Sequence, residues 1–225
     1  MRRGWFITGT DTGVGKTAVS VKLLTALQTQ GIRSVGMKPV ATGADLRGAQ
    51  LVSDDAVRLM AASAVAAPYE DINPYAYAPP ISPHLAAQQA QRPIRLGLIL
   101  TAFERLAGLA DAVVVEGAGG WLAPLDRWQT IEDMAKALRL PVVLVVGLRL
   151  GCINHALLSH CRILASGVPF HGWVANDAEG SLENAPDVAA SITQRLGPPL
   201  ACFGHDPTLP GGFDVARLLA GKEVP

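Results

Sequence analysis

The sequence predicts a doubly wound α/β fold of the P-loop NTPase type: a mostly parallel sheet with helices on both faces. Three observations predict it. Short runs rich in β-branched residues alternate with longer amphipathic runs along the chain. Ala112–Glu116 and Val142–Val146 are apolar without alternation, as strands buried on both faces must be. Gly9–Thr17 places a glycine-rich stretch between a strand and a helix, where open parallel sheets gather their ligands.

The elements follow that alternation. Trp5–Thr8 reads as the first strand and Thr17–Gln28 as the first helix, with apolar residues at Val21, Leu24 and Leu27. Arg33–Val40 reads as a second strand, and Asp54–Met60 as the start of a helix. Arg95–Leu109, Ile131–Leu138, Ile153–Ala165 and Pro186–Leu196 read as helices, and Phe170–Ala175 as a further strand. Val65–Pro83 holds five prolines, so it reads as an irregular excursion, either a solvent loop or a loop that shapes a substrate site or an interface. The tail after Gly197 also reads as loop, with Pro198, Pro199, Pro207 and Pro210.

Composition narrows the function classes. The 225 residues suit one domain spanning 1–225, and 49% hydrophobic residues are enough for a full core. Nineteen basic residues balance nineteen acidic ones, which argues against a nucleic-acid footprint or an anionic-membrane surface. Three cysteines, none in a Cys-x-x-Cys pair, form neither a disulfide framework nor a zinc site. The N-terminus lacks the apolar core of a signal peptide, and Leu140–Leu148 is too short to span a bilayer. The expected address is cytoplasmic.

The sharpest motif is Gly9-Thr10-Asp11-Thr12-Gly13-Val14-Gly15-Lys16-Thr17. Glycines let backbone N–H groups turn inward around phosphate oxygens, and the following helix adds its positive end. Lys16 is placed for the β- and γ-phosphates, and the Thr17 hydroxyl for Mg²⁺. Five residues separate the framing glycines, Gly9 and Gly15, one more than in the common P-loop. Glu116, ending an apolar strand before Gly117-Ala118-Gly119-Gly120, is a candidate Mg²⁺ ligand. Asp54 and Asp55 are either helix-capping carboxylates or metal ligands. Lys38 is either a solvated strand end or a cation aimed into the crevice. Cys152 and His155 read as helix packing.

Taken together, these motifs resemble the dethiobiotin synthetase family. The resemblance runs to about Asp177 and is carried by Thr8–Thr12 with Gly15-Lys16-Thr17, Lys38-Pro39-Val40, Asn73-Pro74-Tyr75, Ser82-Pro83-His84, Val115–Trp121, Gly151–His155 and Gly172–Asn176. It implies a homodimer with shared sites that uses ATP, CO₂ and diaminopelargonic acid to close a ureido ring through a carbamate and a carbamic–phosphoric anhydride. It further implies nucleotide binding by Thr12, Gly13, Val14, Gly15, Lys16, Thr17 and Ala18. Thr17, Asp55 and Glu116 would be the Mg²⁺ ligands, Lys16 the phosphate lysine and Lys38 the catalytic lysine. Asn176, with Asp177 beside it, would read the base. Thr12, Lys38 and Thr42 would face the acid substrate, and Gly151, Cys152, Ile153 and Asn154 would hold its carboxylate tail across the dimer interface.

Two positions depart from the family pattern. Gly13 stands where the family carries Glu, and Leu200–His205 replaces a Leu-Gly-x-Ile-Pro stretch, leaving Gly204, His205 and Asp206 as candidate nucleotide neighbours. Other P-loop readings fit less well. Chromosome-partitioning ATPases carry a signature lysine where this chain has Asp11, and neighbouring amidoligases add a glutaminase domain that 225 residues do not accommodate. A non-enzymatic nucleotide-binding module would not need Lys38 beside Thr42.

Overall fold

The computed structural model describes residues 3–177, 180, 182–204 and 211–220. In chain order, β1 (Arg3–Gly9), α1 (Lys16–Thr29) and β2 (Ser34–Met37) come first. Three short strands follow, β3 (Val40–Thr42), β4 (Asp45–Arg47) and β5 (Gln50–Val52). Next are α2 (Asp54–Ala61), α3 (Tyr69–Ile72), β6 (Tyr75–Tyr77), α4 (Pro83–Gln89) and α5 (Leu96–Leu109). The second half contains β7 (Ala112–Gly120), α6 (Ile131–Leu138), β8 (Val142–Gly147), α7 (Cys152–Ala165), β9 (Phe170–Asp177), α8 (Ala185–Leu196), β10 (Ala201–Gly204) and α9 (Val215–Ala220).

The main sheet has the order β10-β9-β8-β1-β7-β2, and every neighbouring pair is parallel. Side-chain alternation divides the core into two layers. Phe6, Val113, Val115, Leu144, Val146 and Trp173 face one side, with α5, α6, α7 and α8. Trp5, Ile7, Val114, Val143, Val145 and Val174 face the other, with Leu23, Leu24 and Leu27 of α1. Both faces are therefore apolar, as the unalternating strands require. The chain moves from β7 to β8 across β1, so the order in which strands are added reverses at β1 while all stay parallel. The loops after β1, β7 and β8 meet at the carboxyl ends of these strands.

Three expectations need correction. The strand expected over Arg33–Val40 ends at Met37, because the Lys38 N–H turns to the Ile72 carbonyl (2.8 Å) and Pro39 has no N–H to give. Val40–Thr42 instead pairs in parallel with Tyr75–Tyr77 as a separate two-stranded sheet. The proline-rich Val65–Pro83 excursion is thus partly regular, since it supplies α3, β6 and, in Pro83, the first residue of α4. The tail is not all loop either. Its Ala201–Gly204 segment adds β10 to the sheet edge, and Leu218 of α9 packs into the α1 layer.

Glu132, at the start of α6, is a polar centre of the scaffold. It is 2% exposed. It accepts hydrogen bonds from the Trp121 indole (3.0 Å), from Lys136 (2.6 Å) and from two nitrogens of Arg162 (both 2.8 Å). Burial pushes its carboxyl pKa up, but the bonds from Lys136 and Arg162 outweigh this and hold it below the ordinary range. One carboxylate thereby fastens the end of β7, α6 and α7 together. No described helix is long and apolar enough to cross a membrane.

Candidate active site

The loop between β1 and α1 is shaped by two glycines that leave little room for a side chain. A Cβ at Gly9 would lie 2.7 Å from Val14 Cγ2 and 3.0 Å from the Asp11 carbonyl oxygen. Gly15, with φ +83°, would place a Cβ 2.1 Å from Asn176 Nδ2. These close approaches fold the loop over the end of β1 and point the N-terminus of α1 at the crevice. Val14 is buried and closes the loop from beneath. Lys16 Nζ donates to the Asp11 carbonyl (2.8 Å). Burial, with the Lys38 charge nearby, lowers the Lys16 pKa to about 8.

A four-residue polar cluster lies beside the loop. Thr17 Oγ1 donates to Glu116 Oε1 at 2.8 Å. Lys38 Nζ bridges Glu116 Oε1 (2.6 Å) and Asp55 Oδ2 (2.8 Å). Glu116 is 1% exposed and Lys38 5%. Lys38 is therefore not a solvated strand end, and Asp55 does more than cap, since the capping oxygen of α2 is that of Ser53. Burial opposes the charge on Lys38, but Glu116 and Asp55 outweigh it and raise its pKa. Burial likewise opposes charge on Asp55, and Lys38 outweighs it and lowers that pKa.

The cluster fits a divalent cation. One hydroxyl and two carboxylates are the hard oxygen donors that Mg²⁺ takes beside phosphate oxygens. Glu116 Oε2 is buried and has no hydrogen-bond partner among the described residues, an acceptor that a cation would satisfy. The Lys38 ammonium already places positive charge between the two carboxylates.

Thr12, Gly13, Lys16, Thr17, Lys38, Thr42, Asp55 and Glu116 all line one cavity of about 560 Å³. Pro80–Pro83 and Ala118–Gly120 form its walls, so the proline-rich excursion shapes the site. Gly13 has φ +77° and open space around its Cβ position, so a side chain here would extend without obstruction but on a strained backbone.

Other expected residues lie apart from this cavity. Asn176 is buried, and its Nδ2 donates to the Val14 carbonyl (2.8 Å), so the side chain braces the loop from behind. Asp177, next along β9, is buried, and its Oδ1 has no partner among the described residues. Ala18 is half-buried on α1. Gly151, with φ +91°, precedes α7; Cys152 is buried, Ile153 half-buried and Asn154 exposed. These four do not line the cavity, but Arg149 just before them forms an ion pair with Asp11 of the loop. Gly204 ends β10 opposite Asp177. His205 and Asp206 lie outside the described residues.

Asn73, of the Asn73-Pro74-Tyr75 motif, and Tyr69 have tasks in the structure that the sequence does not announce. Asn73 Nδ2 donates to the carbonyls of Lys38 (2.6 Å) and Tyr75 (3.2 Å), and the Tyr69 hydroxyl donates to Asn73 Oδ1 (2.9 Å). The available signal was an asparagine just before a proline in the excursion, which marks a turn but not the carbonyl it holds.

The chain matches the family model described as an AAA domain over residues 3–210. It is 44% identical over 221 residues to the ATP-dependent dethiobiotin synthetase of Xanthomonas euvesicatoria pv. vesicatoria, covering 98% of this chain and 97% of the relative. The synthetase of Xylella fastidiosa strain 9a5c is 44% identical over 216 residues (96% and 95%), and that of Pseudomonas aeruginosa 43% over 206 residues (91% and 90%). Among solved structures, a ParA family ATPase from Chlorobium tepidum superposes with a TM-score of 0.56 at 15% identity, covering 98% of this chain and 90% of that one. The septum site-determining protein MinD from Pyrococcus horikoshii gives 0.54 at 18%, covering 98% and 86%. The structural likenesses establish the fold alone. The sequence likeness extends over nearly the whole of both chains, and by it this chain belongs to the ATP-dependent dethiobiotin synthetase family.

Proposed function

We propose that this protein is a cyclo-ligase of biotin biosynthesis, converting diaminopelargonic acid, CO₂ and ATP into dethiobiotin, ADP and phosphate. The observation that carries the reading is the buried Lys38 ammonium between Asp55 and Glu116, at the foot of a phosphate loop and in the wall of a closed-in cavity. A module that only held nucleotide would have no use for a buried cation on that wall.

In this reading Lys16 and the loop amides bind the β- and γ-phosphates. Thr17, Asp55 and Glu116 hold Mg²⁺, which would neutralise phosphate charge and orient the γ-phosphoryl group. One substrate amine adds to CO₂, giving a carbamate and a proton. A carbamate oxygen then attacks the γ-phosphorus, and the bond to the β-bridging oxygen breaks to release ADP. The second amine attacks the carbamate carbon, and phosphate leaves with its oxygen as the ring closes. Lys38 stabilises negative charge on the carbamate and the transferring phosphoryl group. Thr12 and Thr42 would orient the substrate, and Asn176, with Asp177 beside it, would face the base.

The single domain is read as half of a homodimer in the cytoplasm. Leu150, beside the Gly151–Asn154 segment, and Leu158 and Leu164 of α7 are all exposed leucines (94%, 62% and 52%), which supports a partner surface along this helix. In the dimer that segment would hold the acid tail of the substrate bound by the other protomer. The test is phosphate release from ATP and Mg²⁺ with bicarbonate, with and without diaminopelargonic acid. Release that requires both, with dethiobiotin in the product mass spectrum, is expected. Release indifferent to the diamine would leave only a P-loop ATPase.

A further inference from the structure

Lys38 and Asp55 meet in the cavity but come from different elements, and their separation is set elsewhere. Lys38 lies one residue past the end of β2, so the sheet ladder no longer holds it. Its N–H goes to the Ile72 carbonyl (2.8 Å), and its own carbonyl accepts from Asn73 Nδ2 (2.6 Å). Asp55 rides on the first turn of α2, whose position is set by the N-cap Ser53. The Ser53 N–H donates to the Tyr69 hydroxyl (2.8 Å), and that hydroxyl donates to Asn73 Oδ1 (2.9 Å).

Every proton in this chain of bonds has one possible placement. Both Nδ2 protons of Asn73 are taken by carbonyls, so its Oδ1 must face Tyr69. The phenol accepts from a backbone N–H, so its own proton goes to Asn73. Burial raises the Tyr69 pKa, which keeps that proton in place. Ser53 and Asn73 are 5% and 4% exposed, so water has little access to replace the phenol as their partner.

We propose that Tyr69 is a positioning residue whose hydroxyl fixes the start of α2 against the Lys38 backbone, and so sets where the Lys38 ammonium and the Asp55 carboxylate meet. This inference rests on the functional reading above. The hydroxyl joins two elements that each deliver one charged group to the cavity, whereas Lys16 and Thr17 are delivered by α1 and do not depend on it.

Tyr69→Phe removes both bonds and keeps the ring. Two quantities are measured in parallel with the unaltered protein: turnover to dethiobiotin, and Mn²⁺ affinity in the presence of a non-hydrolysable ATP analogue, read by electron paramagnetic resonance. The variant is expected to lose kcat by at least about tenfold, as misplacement of a catalytic group does. Its Mn²⁺ affinity should fall about threefold, with the KM for ATP changed less than about twofold. Asn73→Ala, which frees the Lys38 carbonyl but leaves Ser53 bonded to Tyr69, should lose kcat while keeping Mn²⁺ affinity. Tyr69→Phe with both quantities within about twofold, or with only a lowered Tm, would overturn the proposal. If the unaltered protein made no dethiobiotin, the functional reading would fall, while the Mn²⁺ comparison would still decide whether Tyr69 holds Asp55 in place.

Discussion

Among the described residues two glutamates are almost completely buried, and they are provided for in opposite ways. Glu132 accepts four hydrogen bonds, shared between both of its oxygens, from Trp121, Lys136 and Arg162. Glu116 directs one oxygen at Thr17 and Lys38 and leaves the other without a partner among the described residues. A buried carboxylate with a full set of donors is part of the scaffold. One with an unfilled oxygen, close to the glycine-rich loop, is in the reading proposed above a metal ligand.

The largest expected break in this comparison is at Lys38. Lys38→Ala should lower kcat by about a thousandfold with little change in the KM for ATP, as loss of a contact made in the transition state does. It also leaves Asp55 and Glu116 facing one another without a counter-charge. Added Mg²⁺ should then raise the Tm of the variant more than that of the parent, in a thermal scan across metal concentrations. A kcat within about threefold would remove Lys38 from the chemistry.

The two glutamates themselves should separate next. Glu116→Gln should raise the Mg²⁺ concentration needed for half-maximal activity by about tenfold or more, beyond whatever stability is lost by taking one of two carboxylates from the buried Lys38 ammonium. Glu132→Gln should do the reverse, costing about 2 kcal/mol in a urea titration with kcat at 25 °C nearly unchanged. That figure is below the usual cost of breaking a buried pair, because Arg162 and Lys136 are 49% and 41% exposed and water screens them. The effect also has a pH signature. The folded pKa of Glu132 is depressed, so its contribution is fully present above the unfolded value and is lost as pH falls through the folded one. The stability gap between the parent and Glu132→Gln should therefore close in acid.

The smallest effect concerns Lys16, whose pKa burial lowers to about 8. Folded Lys16 holds its proton less tightly than the unfolded chain does. Its desolvation cost is thus full below pH 8 and relieved as pH rises toward the ordinary lysine value. Phosphates arriving beside it would restore the proton. ATP binding near pH 8.5 should take up part of a proton, seen calorimetrically in two buffers of different ionisation enthalpy, and this uptake should vanish in Lys16→Met.

What could be read from the sequence follows from how local each signal is. Strands buried on both faces announce themselves as unbroken apolar runs, so the main sheet was legible, and the phosphate loop carries its own glycines. The break after Met37 was not legible, because it depends on the Ile72 carbonyl taking the Lys38 N–H from a segment 34 positions away. The regular pieces of Val65–Pro83 were hidden for a similar reason. Tyr75–Tyr77 is a strand because it pairs with Val40–Thr42, and prolines on either side conceal that pairing. β10 was missed because four residues among prolines and glycines show no usable period. Within the cavity, Thr17 and Glu116 stand out by residue type at the ends of elements, whereas Lys38 reads from the sequence equally as a solvated strand end. The convergence of Lys38 on both Asp55 and Glu116 was not legible, since it joins α2, the end of β2 and β7. The bracing role of Asn176 was equally silent, because it depends on Gly15 lying directly against it.

The central claim is that the incompletely satisfied glutamate is the working one. It is tested most directly by titrating Mn²⁺, with a non-hydrolysable ATP analogue present, into the unaltered protein, Glu116→Gln and Glu132→Gln. The account predicts that Glu116→Gln alone loses affinity, by about tenfold or more, while Glu132→Gln binds as the parent does. Equal affinity in all three, or a loss confined to Glu132→Gln, would contradict it.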